Sequence, residues 1–501
     1  MNIFSVAVNI HDHNTYDGDV HYLAERYTRK KHNLNPLNSQ DPEPSRQFFQ
    51  EHFVPAYANK DHIFSFTVSN LGQQFVRDLL EETVGDLDFL DFRPRFLWDC
   101  YHTDKYYYID HHQSHAAYAF LSSGFTESDI LAIDGRGWQF NCVFIGKDGE
   151  IFDLSSKLSI GGLWNRLSQD LGFGYLGAGK TMGLAAFGKF NSDVQRMVYE
   201  YLDNPNHKLP AYAKEILETV SKEDIAFTLQ QVTVETIMTY VLPFKTCDNI
   251  CLAGGVAYNG YLNEELTKHY AEVFVPPAVG DEGQALGTYM HADYVLNGNV
   301  HEPTVYAGQE HEFDGAALDE YHYRVLDDDE LYSAVAGAIA EGKIIGWYQG
   351  RSESGNRALG NRSILADPRN PDIKNIINSR IKLREDFRPF APSVLEEHYQ
   401  EYFDTNQPSP YMSRIVPVIS DAIPGVAHVD NTARIQTVAR DFNPRYYDLI
   451  AEFYKQTGVP MLLNTSFNCQ EPIVETPEHA VDTFKNTELD ILVINNYIIR
   501  K

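Results

Sequence analysis

Two histidines stand four residues apart in the segment HHQSH, which begins at residue 111 and precedes an apolar run. On a helix, His111 and His115 share one face and are close enough to hold one metal ion. Asp134, in AIDGRG, and Asp281, in GDEGQALG, are candidates to complete the ligand set. Two imidazoles with carboxylates suit a divalent transition metal, and iron, manganese and zinc are all admissible. The competing interpretations are a chance histidine spacing and turn carboxylates that cap backbone amides.

A second set of residues has the chemistry of an anion site. Between Arg351 and Arg388 the chain carries nine Lys/Arg against five Asp/Glu, in a protein whose formal net charge is −29. Arginine forks match phosphate geometry, so this segment predicts a site for small anions such as phosphates. A solvated basic face is the alternative. Further along, hydroxyl and amide side chains beside Arg434 provide additional polar groups for such a ligand.

Glycine pairs and glycine-rich turns border several apolar runs. They occur at Gly135, at 161–162, at 177–179 and at 254–255. Glycine lets backbone approach a nucleotide closely. The segment GAGKTMG lacks the spacing of a Walker A phosphate loop, so it does not by itself predict one.

The elements that must position these groups indicate an α/β protein. Short β-rich runs occur at 3–8, 130–133, 142–145, 249–253, 343–348 and 491–499, and helical periodicity or capping signals at 224–240, 334–340 and from Thr476. The stretch 297–325 lacks periodicity and is rich in glycine and acids, which predicts a domain junction there.

Composition narrows the class of protein. The 501 residues exceed one ordinary domain, and the net charge of −29 argues against nucleic acid or anionic membranes as the main partner. Five scattered cysteines suggest no disulfide framework, and no stretch approaches the length of a transmembrane helix. A cytoplasmic location is the expectation.

Ordered matches over nearly the whole chain give a sharper indication. The chain resembles the O-carbamoyltransferase family, which includes nodulation-factor and antibiotic-tailoring enzymes. The matching segments are AERYTRKKH, DHHQSHAAYAF, IDGRG, GLWNRLSQDLGFGYLGAGKTMGLAAFGK, CLAGGVAYNG, GDEGQALG, IIGWYQGRSESGNRALGNRSILADPR, INSRIKLREDFRPFAPSVL, VDNTARIQTV and LLNTSFNCQEPIVETPEHA.

This resemblance implies two domains. Residues 1–310 would form an actin/sugar-kinase-like (ASKHA) domain that binds metal and nucleotide, and residues 325–501 a YrdC-like α/β domain. The YrdC-like site would cleave carbamoyl phosphate and adenylate the carbamate with ATP, and the other domain would transfer the carbamoyl group to a small-molecule acceptor. The implied cofactors are ATP with magnesium and a divalent metal, iron being favoured over manganese or zinc.

The resemblance also assigns residues. The metal site falls on His111, His115, Asp134 and Asp281, and the general base on His11 and Asp12. The nucleotide site falls on Gly135, Gly162, Gly254, Gly255 and Asn259. The carbamoyl-phosphate site falls on Arg357, Lys382, Arg388, Arg434, Asn464 and Ser466, of which Arg357 and Lys382 are also assigned catalytic roles.

Departures from the family pattern leave the acceptor open. The run Glu353–Gly360 is more polar than the family pattern, and HNTYDG replaces the usual small residues where the acceptor should enter. The acceptor group is predicted to be a hydroxyl, with an amine as an option, and the oligomeric state is open, with a homodimer as one option. A tRNA-directed threonylcarbamoyl-type transferase and a non-catalytic ATP-binding regulator are the alternatives; the acidic charge disfavours the first.

Overall fold

The computed structural model of the protein describes residues 2–8, 12–31, 43–53, 62–68, 101–102, 106–135, 142–154, 158–204, 206–303, 305–315, 318 and 321–501. Within these ranges the strands form three β-sheets with helices packed against them, which confirms the α/β class. None of the helices in the described ranges is both long enough and apolar enough to cross a membrane.

The first sheet has the strand order β3-β2-β1-β4-β6-β5 among the described residues. Its strands are β1 (Asn2–Val8), β2 (Asn14–Tyr16), β3 (His21–Leu23), β4 (His62–Val68), β5 (Tyr101–His102) and β6 (Tyr106–Tyr108). Asp12, which with His11 was predicted as the general base, lies two residues before β2.

The second sheet has the order β11-β10-β7-β8-β9. Its strands are β7 (Glu127–Ala132), β8 (Val143–Lys147), β9 (Glu150–Asp153), β10 (Asn249–Ala253) and β11 (Glu272–Phe274). Strands β7 and β10 are parallel, with Ala132 opposite Ala253. The segments that follow them, with Asp134 and the glycine pair 254–255, therefore leave the sheet at the same edge.

The third sheet lies entirely within residues 322–500 and has the order β12-β20-β19-β13-β14-β18-β15-β17-β16. Its strands are β12 (His322–Val325), β13 (Ile345–Tyr348), β14 (Arg362–Ala366), β15 (Ala391–Leu395), β16 (Arg414–Pro417), β17 (Thr432–Val438), β18 (Met461–Ser466), β19 (Ile491–Ile494) and β20 (Tyr497–Arg500). A separate hydrophobic core, from Leu318 to Ile499, surrounds this sheet.

Helices cover the sheets and pack between them. The α-helices are α1 (Ala24–Thr28), α2 (Glu43–His52), α3 (His111–Leu121), α4 (Ile160–Asp170), α5 (Ala178–Ala185), α6 (Ser192–Asp203), α7 (Ala213–Thr219), α8 (Lys222–Val241), α9 (Gly260–Leu266), α10 (Gln284–Asn297), α11 (Asp328–Ala340), α12 (Ile373–Ile377), α13 (Tyr399–Tyr402), α14 (Pro444–Thr457) and α15 (Pro477–Asn486). Helix α3 packs on β7 and β10, and helix α10 packs on β1, β4 and α3. The pair α3–α10 therefore fills the space between the first two sheets.

Most sequence-predicted elements are present, with one clear correction. The strand at 249–253 and the helix at 224–240 match β10 and α8, and Thr476 caps α15 by accepting from His479 N at 3.3 Å. The run 491–499 is not one strand but the hairpin β19–β20, because Asn495 turns the chain in the left-handed region, which asparagine tolerates. The described residues between α10 and β12 contain neither α-helix nor strand. The division at 310 and 325 stays a prediction.

Candidate active site

Helix α3 presents two histidines on one face. It begins at His111 because Asp110 caps it, accepting from His112 N at 2.9 Å. The helix is fixed on α10: Gln284 Nε2 donates to the carbonyl of His111 at 3.1 Å, and Ser114 Oγ donates to the carbonyl of Gln284 at 3.0 Å. His111 and His115 are therefore held on a rigid helix pair.

Two carboxylates face these histidines. Asp134 follows β7, and Asp281 opens the short 3-10 helix that leads into α10. His111 Nε2 lies 3.0 Å from Asp134 Oδ2 and 3.4 Å from Asp281 Oδ1. His115 Nε2 lies 3.8 Å and 3.6 Å from the same two oxygens. One ligand atom from each residue lies within 4.8 Å of the other three, so these four side chains could hold one metal ion.

The chemistry of this cluster fits a divalent cation. His115 is 1% exposed, and its Nε2 has no hydrogen-bond partner among the described residues. An unsatisfied buried nitrogen is costly, and a metal ion would satisfy it. Two imidazoles and two carboxylates suit iron, manganese or zinc. The four sequence-predicted ligands are therefore brought together by the fold.

Electrostatics within the cluster also favour a positive ligand. Burial alone would lower the pKa of His115, but Asp134 and Asp281 raise it to about 9. Burial alone would raise the pKa of Asp134, but His111 and His115 hold it well below its usual range. Asp134 therefore retains its negative charge, which favours a positive charge beside it.

Glycine turns bring backbone against Asp134. Gly254 has φ +81°, and a Cβ there would lie 2.3 Å from the carbonyl oxygen of Ile133. At Gly161 a Cβ would lie 2.6 Å from the carbonyl oxygen of Asp134. Gly255 N donates to Asp134 Oδ1 at 3.3 Å. These glycines let three chain segments meet at the metal-ligand cluster.

Asn259, which the sequence predicts in the nucleotide site, is hydrogen-bonded within the protein. Its side-chain oxygen accepts from Gln230 Nε2 at 3.0 Å and from Leu262 N at 3.2 Å. The second bond caps α9. The Asn259 side chain is thus held in place by the turn that precedes α9.

Five cations, which we call the cationic wall, come together from the C-terminal sheet and its loops: Arg357, Lys382, Arg384, Arg388 and Arg434. Burial lowers the pKa of all five, and repulsion by a neighbouring cation lowers it further for Lys382, Arg384, Arg388 and Arg434. Burial and Arg388 lower the pKa of Arg384 to about 9, and burial and Arg357 lower that of Arg434 to about 9. Positive charges crowded in this way favour a bound anion.

Members of the cationic wall differ in how their donors are used. Lys382 is 2% exposed, and its Nζ donates to Ser466 and Asn468, at 2.5 Å and 3.0 Å to the two carbonyls. Arg434 donates to the carbonyls of Met412 at 3.0 Å and Tyr258 at 3.1 Å. Arg357 Nε, by contrast, is buried with no hydrogen-bond partner among the described residues. Arg388 Nη1 lies 3.8 Å from Glu385 Oε2, too far for a hydrogen bond, so Arg357 and Arg388 are the members best placed to bind a ligand.

Polar side chains of β18 border the cationic wall. Asn464 Nδ2 donates to Ser393 Oγ at 2.9 Å and to the carbonyl of Ala358 at 3.1 Å, while its Oδ1 is buried without a hydrogen-bond partner among the described residues. Ser466 Oγ donates to Asn468 Oδ1 at 2.7 Å. These bonds fix the floor of the predicted anion site.

The metal-ligand cluster and the cationic wall open into one cavity of about 1370 Å³. Sequence-predicted residues that line it are Asp12, His111, Asp134, Gly135, Gly255, Asn259, Asp281, Arg357, Lys382, Arg388, Arg434, Asn464 and Ser466. His115, Gly162 and Gly254 are not among the described lining residues. His11 lies outside the described residues. The fold therefore joins two sites that the sequence describes separately.

Sequence reasoning missed several residues that line the cavity. Lys180 reaches across from α5 and pairs with Glu385 at 2.7 Å. Glu282 follows a predicted metal ligand directly, and Tyr258 precedes Asn259. Lys31 comes from the segment after α1. Lys31 and Lys180 lie within segments of the family resemblance, but their side-chain chemistry alone gave no signal, since single lysines are usually solvated.

The fold and the site define an α/β protein that has a candidate metal-ligand cluster and a candidate anion site in one cavity. Family comparison is more specific. The family model described as Carbamoyltransferase N-terminus matches residues 8–290, and the one described as Carbamoyltransferase C-terminus matches residues 336–501. The chain therefore belongs to the carbamoyltransferase family, a family of enzymes, as the sequence predicted.

Individual relatives agree with this assignment. The chain is 40% identical to nodulation protein NolNO of Sinorhizobium fredii over 79% of this chain and 64% of the relative. It is 37% identical to nodulation protein NolO of Bradyrhizobium diazoefficiens, over 78% and 79%. It is 34% identical to a 3'-hydroxymethylcephem-O-carbamoyltransferase of Amycolatopsis lactamdurans, over 58% of each. The chain thus spans just under two thirds of the length of NolNO.

Solved structures give weaker similarity. HypF of T. kodakarensis matches with a TM-score of 0.35 and 15% identity over 59% of this chain and 48% of that one. The activator of 2-hydroxyisocaproyl-CoA dehydratase from Clostridium difficile matches with a TM-score of 0.33 and 12% identity, over 58% and 95%. These TM-scores lie below the level at which a shared fold follows.

Proposed function

We propose that the protein is an ATP-dependent carbamoyltransferase that converts carbamoyl phosphate to carbamoyl-adenylate and transfers the carbamoyl group to a hydroxyl of a small-molecule acceptor. The observation that carries this proposal is the single cavity lined by both the metal-ligand cluster and the cationic wall. A reactive intermediate made at one end could reach the other without release into water.

The first stage belongs to the cationic wall. Carbamoyl phosphate would bind with its phosphate against Arg357 and Arg388, because guanidinium groups bind phosphate oxygens bidentately. Hydrolysis releases inorganic phosphate and leaves carbamate, whose oxygen attacks the α-phosphate of ATP and displaces pyrophosphate. Lys382 would position Ser466 and Asn468, since its donors already hold that loop.

The second stage belongs to the other end of the cavity. Asp12 lines it, and Asn14 Nδ2 fixes the turn by donating to the carbonyl of Asp12 at 2.7 Å. Asp12 would accept the proton of the acceptor hydroxyl as its oxygen attacks the carbamoyl carbon, and AMP would leave. His11 stays a predicted partner of Asp12 in this proton transfer.

The metal-ligand cluster would hold a divalent cation through His111, His115, Asp134 and Asp281. Such a cation, when bound, stabilises negative charge on a carbonyl or phosphoryl oxygen. The glycine turns at Gly135 and Gly255 would let a nucleotide approach this end closely. Exclusion of water by the bound substrates would protect the mixed anhydride from hydrolysis.

Product analysis tests the proposed function directly. The wild type, incubated with carbamoyl phosphate, ATP and a panel of hydroxylated metabolites, should release pyrophosphate only when carbamoyl phosphate is present. Mass spectrometry should show an acceptor heavier by one carbamoyl group. Arg357→Ala should lower pyrophosphate release roughly ten- to a hundred-fold, because one charge-assisted contact to the anion is lost. Pyrophosphate release that does not depend on carbamoyl phosphate would exclude this function.

A further inference from the structure

Tyr258 lies between the two halves of the cavity. It ends the short 3-10 helix Gly255–Tyr258 that follows β10, and it lines the cavity. Its hydroxyl donates to Glu282 Oε1, which also accepts from Gly280 N at 3.2 Å. Glu282 directly follows Asp281 of the metal-ligand cluster. One edge of Tyr258 is therefore anchored beside that cluster.

The face of Tyr258 lies under the cationic wall. The guanidinium carbon of Arg357 lies 5.3 Å from the centre of the Tyr258 ring, within the range of a cation–π contact. Arg434 Nη2 donates to the backbone carbonyl of Tyr258 at 3.1 Å. Two cations of the C-terminal sheet and its loops therefore contact one residue of the N-terminal half, Arg357 at its ring and Arg434 at its backbone carbonyl.

The charged guanidinium of Arg357 requires a stabilising contact at this position. Arg357 is half-buried, its Nε is buried with no hydrogen-bond partner among the described residues, and it shares the cavity with Arg388 and Arg434. Repulsion from these cations and the loss of hydration both disfavour a charged group held at this point. The negative face of an aromatic ring offsets part of this cost without consuming the donors of the guanidinium. Those donors stay available to a ligand.

We propose that Tyr258 is a positioning residue for the anion site, whose ring orients Arg357 toward the bound phosphate and whose hydroxyl fixes the ring through Glu282. This inference rests on the proposed function, because that function assigns the phosphate of carbamoyl phosphate to Arg357. It adds a residue of the N-terminal half to a site otherwise built from the C-terminal sheet.

Binding of inorganic phosphate to the full chain, measured by titration calorimetry, tests the proposal without turnover. Tyr258→Leu should weaken phosphate binding roughly ten- to thirty-fold, the loss of a desolvated cation–π contact. Tyr258→Phe keeps the ring but loses the bond to Glu282, so it should weaken phosphate binding less than Tyr258→Leu does. Tyr261→Leu is the matched control. Tyr261 also lines the cavity, and its hydroxyl donates to Asp430, in the C-terminal half, at 2.8 Å. It should leave phosphate affinity unchanged.

A double-mutant cycle separates positioning from a general structural role. In the Arg357→Ala background, Tyr258→Leu should cause no further loss of phosphate affinity, because the residue through which Tyr258 acts is gone. If the leucine variant does not fold, Tyr258→Met, which also lacks a ring, replaces it. The KM for carbamoyl phosphate should rise in parallel with the phosphate dissociation constant, while kcat changes less.

The outcomes distinguish this proposal from the proposed function. Unchanged phosphate affinity in Tyr258→Leu, equal losses in the phenylalanine and leucine variants, or an undiminished loss in the Arg357→Ala background would overturn the role of Tyr258. Failure of the wild type to bind phosphate would overturn it as well, together with the anion site. A wild type that binds phosphate but releases no pyrophosphate from ATP and carbamoyl phosphate would refute only the proposed function.

Discussion

At the scale of single residues, the two histidines of α3 differ in what surrounds them. His111 is bonded to Asp134 at 3.0 Å and lines the cavity, whereas His115 is almost fully buried and lacks a hydrogen-bond partner among the described residues. Its Nε2 lies 3.8 Å from Asp134 and 3.6 Å from Asp281, and a metal ion held by all three side chains would satisfy it. Because His115 is the more buried of the two histidines, its replacement is the more informative test of metal binding.

Replacement of His115 should remove the metal. In purified wild type, elemental analysis is expected to find a near-stoichiometric divalent metal, and His115→Ala should lower it sharply because one of four ligands is lost. His112→Ala is the matched control, since His112 is buried on the same helix but is not among the four ligands. Equal metal content in the His115→Ala protein and the wild type would refute the ligand set.

At the scale of elements, parallel pairing of β7 and β10 determines where the site forms. The register places Ala132 beside Ala253, so Asp134 and Gly254-Gly255 emerge together. Gly254 follows with φ +81°, and backbone of the neighbouring segment leaves no room for a Cβ. The close approach of these two turns is what lets Gly255 N reach the Asp134 carboxylate.

A pair of glycine substitutions separates backbone strain from this close approach. Gly298 ends α10 with φ +74°. A Cβ at this position would have no heavy atom within 4 Å among the described residues. Gly298→Ala should therefore cost only the left-handed conformation, about 1–2 kcal/mol. Gly254→Ala should cost more, because its Cβ also meets the carbonyl of Ile133 at 2.3 Å. Thermal melts measure the difference, and metal content should fall in Gly254→Ala alone. Equal shifts in the two variants would contradict the packing argument.

At the scale of the whole molecule, one cavity joins groups that belong to different sheets. The proposed function nevertheless assigns them separate steps. His111→Ala should leave carbamoyl-phosphate-dependent pyrophosphate release largely intact, since the cationic wall is unchanged, and should abolish carbamoyl transfer to the acceptor. Parallel assays of the two steps on a folded variant measure this separation. Equal loss of both steps would argue against two distinct sites.

A buried ion pair also connects the two halves of the chain. Arg26, on α1, lies 3.3 Å from Glu475, just before α15, and donates to the carbonyl of Gly355 at 2.7 Å. Burial alone would raise the pKa of Glu475, but His311, Arg26 and Arg362 lower it to about 2. Because the pKa in the folded protein is depressed, the ionised carboxylate stabilises the fold fully above its unfolded pKa of about 4.5. That contribution is lost as pH falls toward 2.

This pair predicts a pH-dependent difference between variants. The free energy of unfolding of the wild type should exceed that of Glu475→Gln at pH 6, by an amount on the order of 3 kcal/mol. The gap should narrow as pH falls from 4.5 toward 2. Urea titrations at pH 6, 4 and 3 measure it, and Glu478→Gln, at an exposed neighbouring position, is the control. A gap that does not depend on pH would contradict the linkage.

The amino-acid sequence by itself determined the chemistry that could be present and much of the local structure. Spacing put His111 and His115 on one helical face, charge balance marked the segment that holds most of the cationic wall, and β-rich runs marked β10 with its bounds intact. Such features depend on residues near one another in the chain. The turn at Asn495 was a signal that the sequence prediction did not use, since Asn495 and Asn496 separate two apolar β-rich stretches.

Only the tertiary structure decided which side chains contact one another and which remain available to bind a ligand. Lys382 and Arg357 look equivalent in the sequence, yet the first donates to Ser466 and Asn468 while the second faces the cavity over Tyr258. The union of the metal-ligand cluster with the cationic wall in one cavity likewise follows from packing between elements that are hundreds of residues apart. The physical reason is that burial, desolvation and hydrogen-bond satisfaction depend on long-range neighbours, and these are fixed when the sheets and helices pack together.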